Sequence, residues 1–248
     1  PSIFSTTLID YKLCVNRLKE SAYLIKGLKI DLIDERTNQQ EDEFLFNDGI
    51  VEFIKSINTS KDTIHEPAYI EGKYADIEVE AAIQFANKQY TETTLSFVNN
   101  IRTRDGGTHE IGFKSGITRA FNEYARKKGL LKDKDPNLEG IDIREGMTAI
   151  LSVRIPENIL QFEGQTKNKL GTADAKMSVE SVIVEQLGFF LAEKGEIANT
   201  LVQNSIKASK VREAARQARD NARMIKQKVA KPASLAGKLS PVQEKNPA

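Results

Sequence analysis

Two segments of this chain alternate apolar and polar residues, and that period of two limits the fold more than any other feature. In the first, Ala75, Ile77, Val79, Ala81, Ile83 and Phe85 alternate with Asp76, Glu78, Glu80 and Gln84. This predicts a strand with one buried face and one wet, acidic face. Leu95 and Phe97 continue the pattern in the next segment. In the second, Met147, Ala149, Leu151, Val153 and Ile155 repeat until Pro156 stops the run. Between the two the period becomes helical. Thr108 is placed as an N-cap, Glu110 lies in the first turn where the dipole favours an acid, and Phe113, Ile117, Ala120, Phe121 and Tyr124 share a face. A later amphipathic helix uses Val179, Val182, Ile183, Leu187, Phe190 and Leu191. The sequence therefore predicts an α+β domain with helices packed on one sheet.

Before that domain, Cys14, Leu18, Ala22 and Ile25 repeat with a helical period over Asp10–Lys26. Asp10 is the expected N-cap and Gly27 the expected stop. Leu28–Leu32 alternates as a half-buried strand, Thr37–Gln40 is the expected turn, and Phe44–Phe46 the expected return strand. Gly49–Ile57 reads as a short helix. After Gly195 the character changes. From Ala208 the small or apolar residues step through Val211, Ala215, Ala218, Ala222, Ile225 and Val229, alternating three and four. This is a narrow, alanine-rich heptad seam, and a helix over Glu196–Val229 would be on the order of 50 Å long. Lys231–Ala248 holds three prolines and reads as a linker.

Lysine plus arginine total 36 against 35 acids, but the balance is uneven. Ser205–Pro232 holds nine basic residues and two acids, a charge of +7, which leaves −6 for the rest. An acidic body with a basic arm suits a polyanion partner; a solvated basic helix with no specific partner is the competing reading. No apolar run nears the roughly 18 residues of a membrane span, and Pro1–Phe4 lacks the regions of a signal peptide. The single cysteine, Cys14, cannot form an internal disulfide and falls on an apolar helix face, which fits packing in a reducing, cytoplasmic setting.

The chain shows no obvious catalytic constellation. His65 and His109 have no second His or Cys at metal-ligand spacing, so no metal site is expected. The many acids mark no hydrolase pair, and neither a Walker loop nor GxGxxG occurs. Gly106-Gly107 opens a helix, either as a tight turn or as a site where another backbone or anion approaches. The most informative stretch is the polar segment Gln161–Gly171, bounded by Gly164 and Gly171 and carrying Gln165, Lys167 and Lys169. A lysine there could reach an anion such as a terminal phosphate, with a glutamine beside it as a neutral donor. A plain solvated loop satisfies the same composition.

Phe162-Glu-Gly-Gln-Thr-Lys-Asn-Lys-Leu-Gly171 strongly resembles the QTK loop of the B-type subunits of bacterial type IIA DNA topoisomerases. Gly27–Arg36, Ser96–Asn100, Asp105–Glu110, Gly112–Lys114 and Asp142–Gly146 resemble segments of the same family in the same order. Leu235–Pro247 resembles the stretch before the metal-binding TOPRIM domain. Pro1–Thr7 and Gly171–Lys176 are more similar to the topoisomerase IV branch than to the gyrase branch.

The resemblance implies a transducer segment: a sheet with packed helices similar to the second domain of ribosomal protein S5, followed by a long C-terminal helical arm. It implies a connecting helix over 1–27 from an ATPase domain, the transducer over 28–195, a basic arm over 196–230 and a linker over 231–248 toward TOPRIM. ATP and Mg2+ would belong to the complete subunit and none to this segment, which would carry no catalytic residue and be inactive alone. Lys167 would reach the γ-phosphate of ATP, with Gln165 beside it. Arg119, Arg212, Arg216, Arg219 and Arg223 are candidate contacts to double-stranded DNA. An A-type subunit and a second copy of the chain would be partners, with no membrane. A stand-alone nucleic-acid module and a protein-binding helical adaptor are the competing readings.

Overall fold

The computed structural model describes residues 9–36 and 40–230, the side chains of 225–230 excepted. It divides into two compact units, one ending at Ala208 and the other starting at Ser209. Within the described part of the first unit, α1 (Tyr11–Leu24) begins where the Asp10 carboxylate accepts a hydrogen bond from the Leu13 amide at 3.3 Å. Gly27, at φ +75°, turns the chain out of it. An antiparallel pair follows, β1 (Ile30–Asp34) and β2 (Gln40–Phe44), with Ile30 opposite Phe44 and Asp34 opposite Gln40. The return strand thus starts earlier than its apolar residues suggested. Most of β2 is polar and exposed, so it carries no alternation to detect, and Phe46 leaves the pair to stack on Tyr23, centroids 3.6 Å apart. Of the expected turn, Gln40 already belongs to β2, and 37–39 lie outside the described residues.

Next come α2 (Ile50–Ile57), β3 (Ala68–Tyr74), β4 (Ile77–Phe85), β5 (Thr93–Val98), β6 (Ile101–Arg102), α3 (Thr108–Lys127), α4 (Gly140–Ile143) and β7 (Met147–Arg154). Five of these strands form one sheet in the order β3-β4-β7-β5-β6. Only β5 and β7 run parallel, and α3 and α4 lie in the crossover between them, as parallel neighbours require. Asn99 and Asn100 both take left-handed backbone between β5 and β6, the conformation a two-residue hairpin turn favours. The last elements are a short hairpin, β8 (Phe162–Glu163) and β9 (Lys169–Leu170), then α5 (Asp174–Glu193) and α6 (Gly195–Ala230).

The expected wet face on the first alternating strand holds at its start, where Asp76 and Glu78 are exposed and Glu80 is half-buried, and ends before Gln84, which is buried. One side of the sheet buries Val79, Ala81, Ile83, Ala149 and Leu151 against Phe113, Ile117 and Phe121 of α3 and Val179 and Ile183 of α5. The other side buries Ala82, Ile150 and Phe97 beneath Phe53 and Ile54 of α2 and Leu24 of α1. Polar residues on that side are buried too, and they are paired as burial demands. Asn58 donates to Gln84 at 2.9 Å, Gln84 donates to the His65 carbonyl at 2.8 Å, and Thr148 donates to Asn58 at 2.9 Å. Ala75 lies outside the strand, exposed at φ +52° in the β3–β4 turn. Alternation reports polarity, and a hydrogen-bonded polar residue can sit under a helix as well as in water.

Burial along α6 stops before the expected seam, whose first residue, Ala208, is already half-buried. Ala198, Leu201, Val202 and Ser205 are buried in the first unit. In the second unit Val211 is 70% exposed, and Ala215, Ala218 and Ala222 are exposed. The side chains of Ile225 and Val229, and the expected linker 231–248, lie outside the described residues.

Candidate anion-contacting hairpin and basic groove

The polar segment singled out in the sequence folds as a hairpin. Phe162 faces Leu170 and Glu163 faces Lys169 in antiparallel register. Lys169 closes the last pair with a 2.9 Å ion pair to Glu163. The intervening residues 164–168 form the tip, which bends on two left-handed positions, Gly164 at φ +81° and Lys167 at φ +54°. A lysine there costs on the order of 1–2 kcal/mol of backbone energy. Gln165 and Lys167 are both exposed at the tip, and the Lys167 ammonium lies 5.9 Å from the Phe162 ring centroid.

The base of the hairpin is held far more firmly than its tip. Leu170 is 1% exposed in the core. Its amide donates to the Gly106 carbonyl at 3.0 Å, and the Asp105 amide donates to the Asn168 carbonyl at 3.0 Å. Gly107 and Leu170 form a parallel bridge. Thr172 closes the other side: its hydroxyl accepts from the Gln161 amide at 2.9 Å and donates to the Ile159 carbonyl at 3.1 Å. Gly106-Gly107 is therefore both a turn and an approach site, and the approaching backbone is the chain's own β9. Gly107 takes the N-cap position of α3, not Thr108. Thr108 is the first helical residue, and its hydroxyl donates to the Thr172 carbonyl at 2.6 Å.

Arg119 stands elsewhere, on the outer face of α3. Its Nε lies 2.7 Å from Glu123, one turn along, and that carboxylate holds the guanidinium above its ordinary range. It lines an open groove of about 690 Å³ with Lys114, Arg126, Arg144, Asn122 and Asn137. Glu92 reaches Arg144 at 2.9 Å and Lys114 at 3.3 Å. Burial pushes the Glu92 carboxyl up, but Arg144, Thr94 and Lys114 outweigh it and hold the group below the ordinary carboxylate range. For Lys114, burial pulls downward, and Glu110 and Glu92 outweigh it. The groove keeps a basic excess of one, four cations against Glu123, Glu92 and Glu110.

Lys114 and Arg144 fall in segments that carry the family resemblance, but neither they nor Arg126 were named from the sequence as contact residues. Ser115, Arg119, Asn122 and Arg126 fall at helical spacing and could have been read as one polar face. Arg144 comes from beyond α4, and only the fold brings it there. On α6, Arg216 lies 4.0 Å from Asp220, and Arg219 donates to the Ala215 carbonyl at 3.2 Å. Arg223 is exposed and Arg212 half-buried.

The two histidines have structural surroundings. The His65 Nε2 accepts from the Phe85 amide at 3.1 Å, and its Nδ1–H donates to the Glu66 carbonyl at 2.6 Å. His109, fully buried at the start of α3, has its Nε2 2.9 Å from the Thr103 hydroxyl. That hydroxyl has the Ser96 carbonyl to donate to at 3.0 Å, so the imidazole N–H points at Thr103. Its Nδ1 then faces the core with no hydrogen-bond partner, and burial pushes the ring down to about 4. Among the described residues, no group of three His, Cys, Asp or Glu could hold a metal ion, and no helix is long and apolar enough to cross a membrane.

The DNA gyrase B family model matches residues 49–221. The chain is 55% identical to the B subunit of DNA topoisomerase 4 from Bacillus subtilis over 248 residues, all of this chain and 38% of that protein. It superposes on the 43K ATPase domain of Thermus thermophilus gyrase B, solved with an aminocoumarin, with a TM-score of 0.77 at 38% identity, covering 89% of this chain and 58% of that one. The topoisomerase IV ATP-binding domain of Francisella tularensis, solved with a small-molecule inhibitor, matches with a TM-score of 0.72 at 26% identity, covering 85% and 56%. The chain spans less than two-fifths of the length of the curated relatives it matches.

Proposed function

Because this chain belongs to the DNA gyrase B family, and its relatives include topoisomerase IV B subunits, we propose that it is the transducer segment of a type IIA topoisomerase B subunit. In this reading it couples ATP binding and hydrolysis elsewhere in the subunit to capture and passage of double-stranded DNA. The sheet with packed helices is the S5-like transducer over 28–195, α6 is the arm over 196–230, and 1–27 and 231–248 connect to neighbouring domains. The complete enzyme, a DNA isomerase, would pair with an A-type subunit and a second copy of the chain in the cytoplasm, and this segment alone would be inactive.

The observation that carries the reading is the hairpin tip. An ammonium and a carboxamide, Lys167 and Gln165, stand exposed on a loop whose base is pinned to the core. That donor pair suits the outermost phosphate of a nucleoside triphosphate, the one group that separates ATP from ADP. ATP brings the terminal phosphate, and its Mg2+ would be held by residues outside this segment. A charge-assisted hydrogen bond to that phosphate contributes about 1.5–3 kcal/mol. This shifts a two-state domain arrangement roughly ten- to a hundredfold, enough to bias a hinge but not to lock it. Losing the contact reverses the bias.

For DNA, the groove around Arg119 and the arginines Arg212, Arg216, Arg219 and Arg223 of α6 offer sequence-independent phosphate contacts. In the complete subunit, Lys167→Ala should lower ATP hydrolysis and strand passage together. Wild-type turnover in both would remove the role assigned to Lys167. Changing the four α6 arginines to Gln should flatten the salt dependence of DNA binding, and an unchanged slope would remove their contact.

A further inference from the structure

The hairpin is supported unevenly. At one end of its tip, a Cβ added to Gly164 would meet nothing within 4 Å. The outgoing strand, Phe162 and Glu163, pairs only with the return strand. The return strand is the one the scaffold grips, through Asp105 to Asn168 and Leu170 to Gly106. The second of the two glycines there is in close contact with it. A Cβ on Gly107 would lie 2.4 Å from the Leu170 carbonyl oxygen, 2.5 Å from its nitrogen and 2.8 Å from its Cα. These are backbone atoms, so no rotamer change relieves the overlap. Gly107 also sits at φ +139°, a region open to glycine and hostile to other residues. Gly106 differs, because the nearest atoms a Cβ there would meet belong to the Glu110 side chain, whose carboxylate can swing away.

We infer that Gly107 is a positioning residue for Lys167: its bare Cα lets the Leu170 backbone close on the Asp105–Gly107 turn, and this seat sets where the hairpin tip stands. The inference rests on the reading that Lys167 meets a terminal phosphate. Ordinary van der Waals contact begins at 3.4 Å, so any side chain at position 107 must push β9 back by about 1 Å. Lys167 precedes the gripped residue Asn168 by one position, so its backbone moves with the strand. A misplacement of about 1 Å in a reacting geometry can cost on the order of a hundredfold in rate. A glycine 60 positions earlier in the chain thereby controls the reach of the lysine.

The test uses the complete subunit with Gly107→Ala, Lys167→Ala and the double variant, measured for steady-state ATP hydrolysis. Gly107→Ala should lower kcat by about 10- to 100-fold with KM for ATP within about threefold, because only the tip is displaced. The double variant should be no slower than Lys167→Ala alone within about twofold, since both changes remove one contact. Losses that multiply, or a folded Gly107→Ala protein at wild-type kcat, would overturn the seat while leaving the lysine's role standing. Wild-type kcat in Lys167→Ala would instead overturn the reading beneath it and the seat together. Should Gly107→Ala fail to fold, Leu170→Ala carries the same cycle. It withdraws the buried anchor that presses β9 onto the turn and leaves the glycines intact.

Discussion

The two faces of α3 are opposite in chemistry and in what they tolerate. The inner face packs Phe113, Ile117 and Phe121 against the sheet and brings Gly112 so close to α5 that a Cβ would stand 2.2 Å from the Lys176 carbonyl oxygen. The outer face carries Lys114, Arg119 and Arg126 into an open groove. The inner face sets where α5 lies against the sheet, so it should answer to volume. The outer face meets solvent, so it should answer to charge. One helix therefore packs against α5 and the sheet on one side and carries on the other the basic groove proposed above for DNA.

The sharpest way to break this contrast is Phe113→Ala, which deletes a fully buried ring. It should cost about 3–5 kcal/mol in urea unfolding of this chain, and a loss under 1 kcal/mol would mean the inner face is not close-packed. The acid response of His109 comes next. Its folded pKa of about 4 lies below the ordinary 6.5, so the unfolded chain takes up a proton that the folded chain refuses. That contribution is whole above pH 6.5, shrinks as pH falls through the interval, and is gone below about 4, a change on the order of 3 kcal/mol. His65, also pushed down by burial, adds in the same direction. His109→Gln should flatten the stability profile between pH 6.5 and 4 relative to wild type, and an unaltered profile would deny its buried neutral state.

Gly112→Ala should cost about 1–3 kcal/mol, because α3 and α5 must part to admit a methyl group against backbone; chemical denaturation of the purified chain measures it. Smallest of all in stability is Arg119→Gln, expected within about 0.5 kcal/mol of wild type on an exposed position. Its effect should appear instead in DNA binding, as a salt slope reduced by about 1. A stability loss as large as that of Gly112→Ala would erase the distinction between the faces.

Much of this was legible beforehand. The apolar residues of α3 repeat at helical spacing and every one named is buried, because a face that must leave water writes its period into the chain. The strands β4 and β7 were visible for the same reason. The return strand β2 was expected but placed too late, and the two-residue β6 and the β8–β9 hairpin were not visible, since backbone pairing holds them and leaves little apolar pattern. The hairpin segment was noticed through its lysines, its glutamine and its glycines, while its being a hairpin was not. Arg119 was found, whereas its neighbour Arg144 was invisible at a distance of 25 positions.

The sequence alone determined which faces are apolar, where α1, α2, α3 and α6 start within a residue or so, and that a basic helix follows an α+β body, because burial and capping are local demands on residue type. Tertiary structure decided that α2 covers the second side of the sheet, that Arg144 joins the α3 groove, and that β9 rests on Gly107. Those contacts join residues far apart in the chain, and their energy depends on distances between backbones, which no residue's own chemistry records.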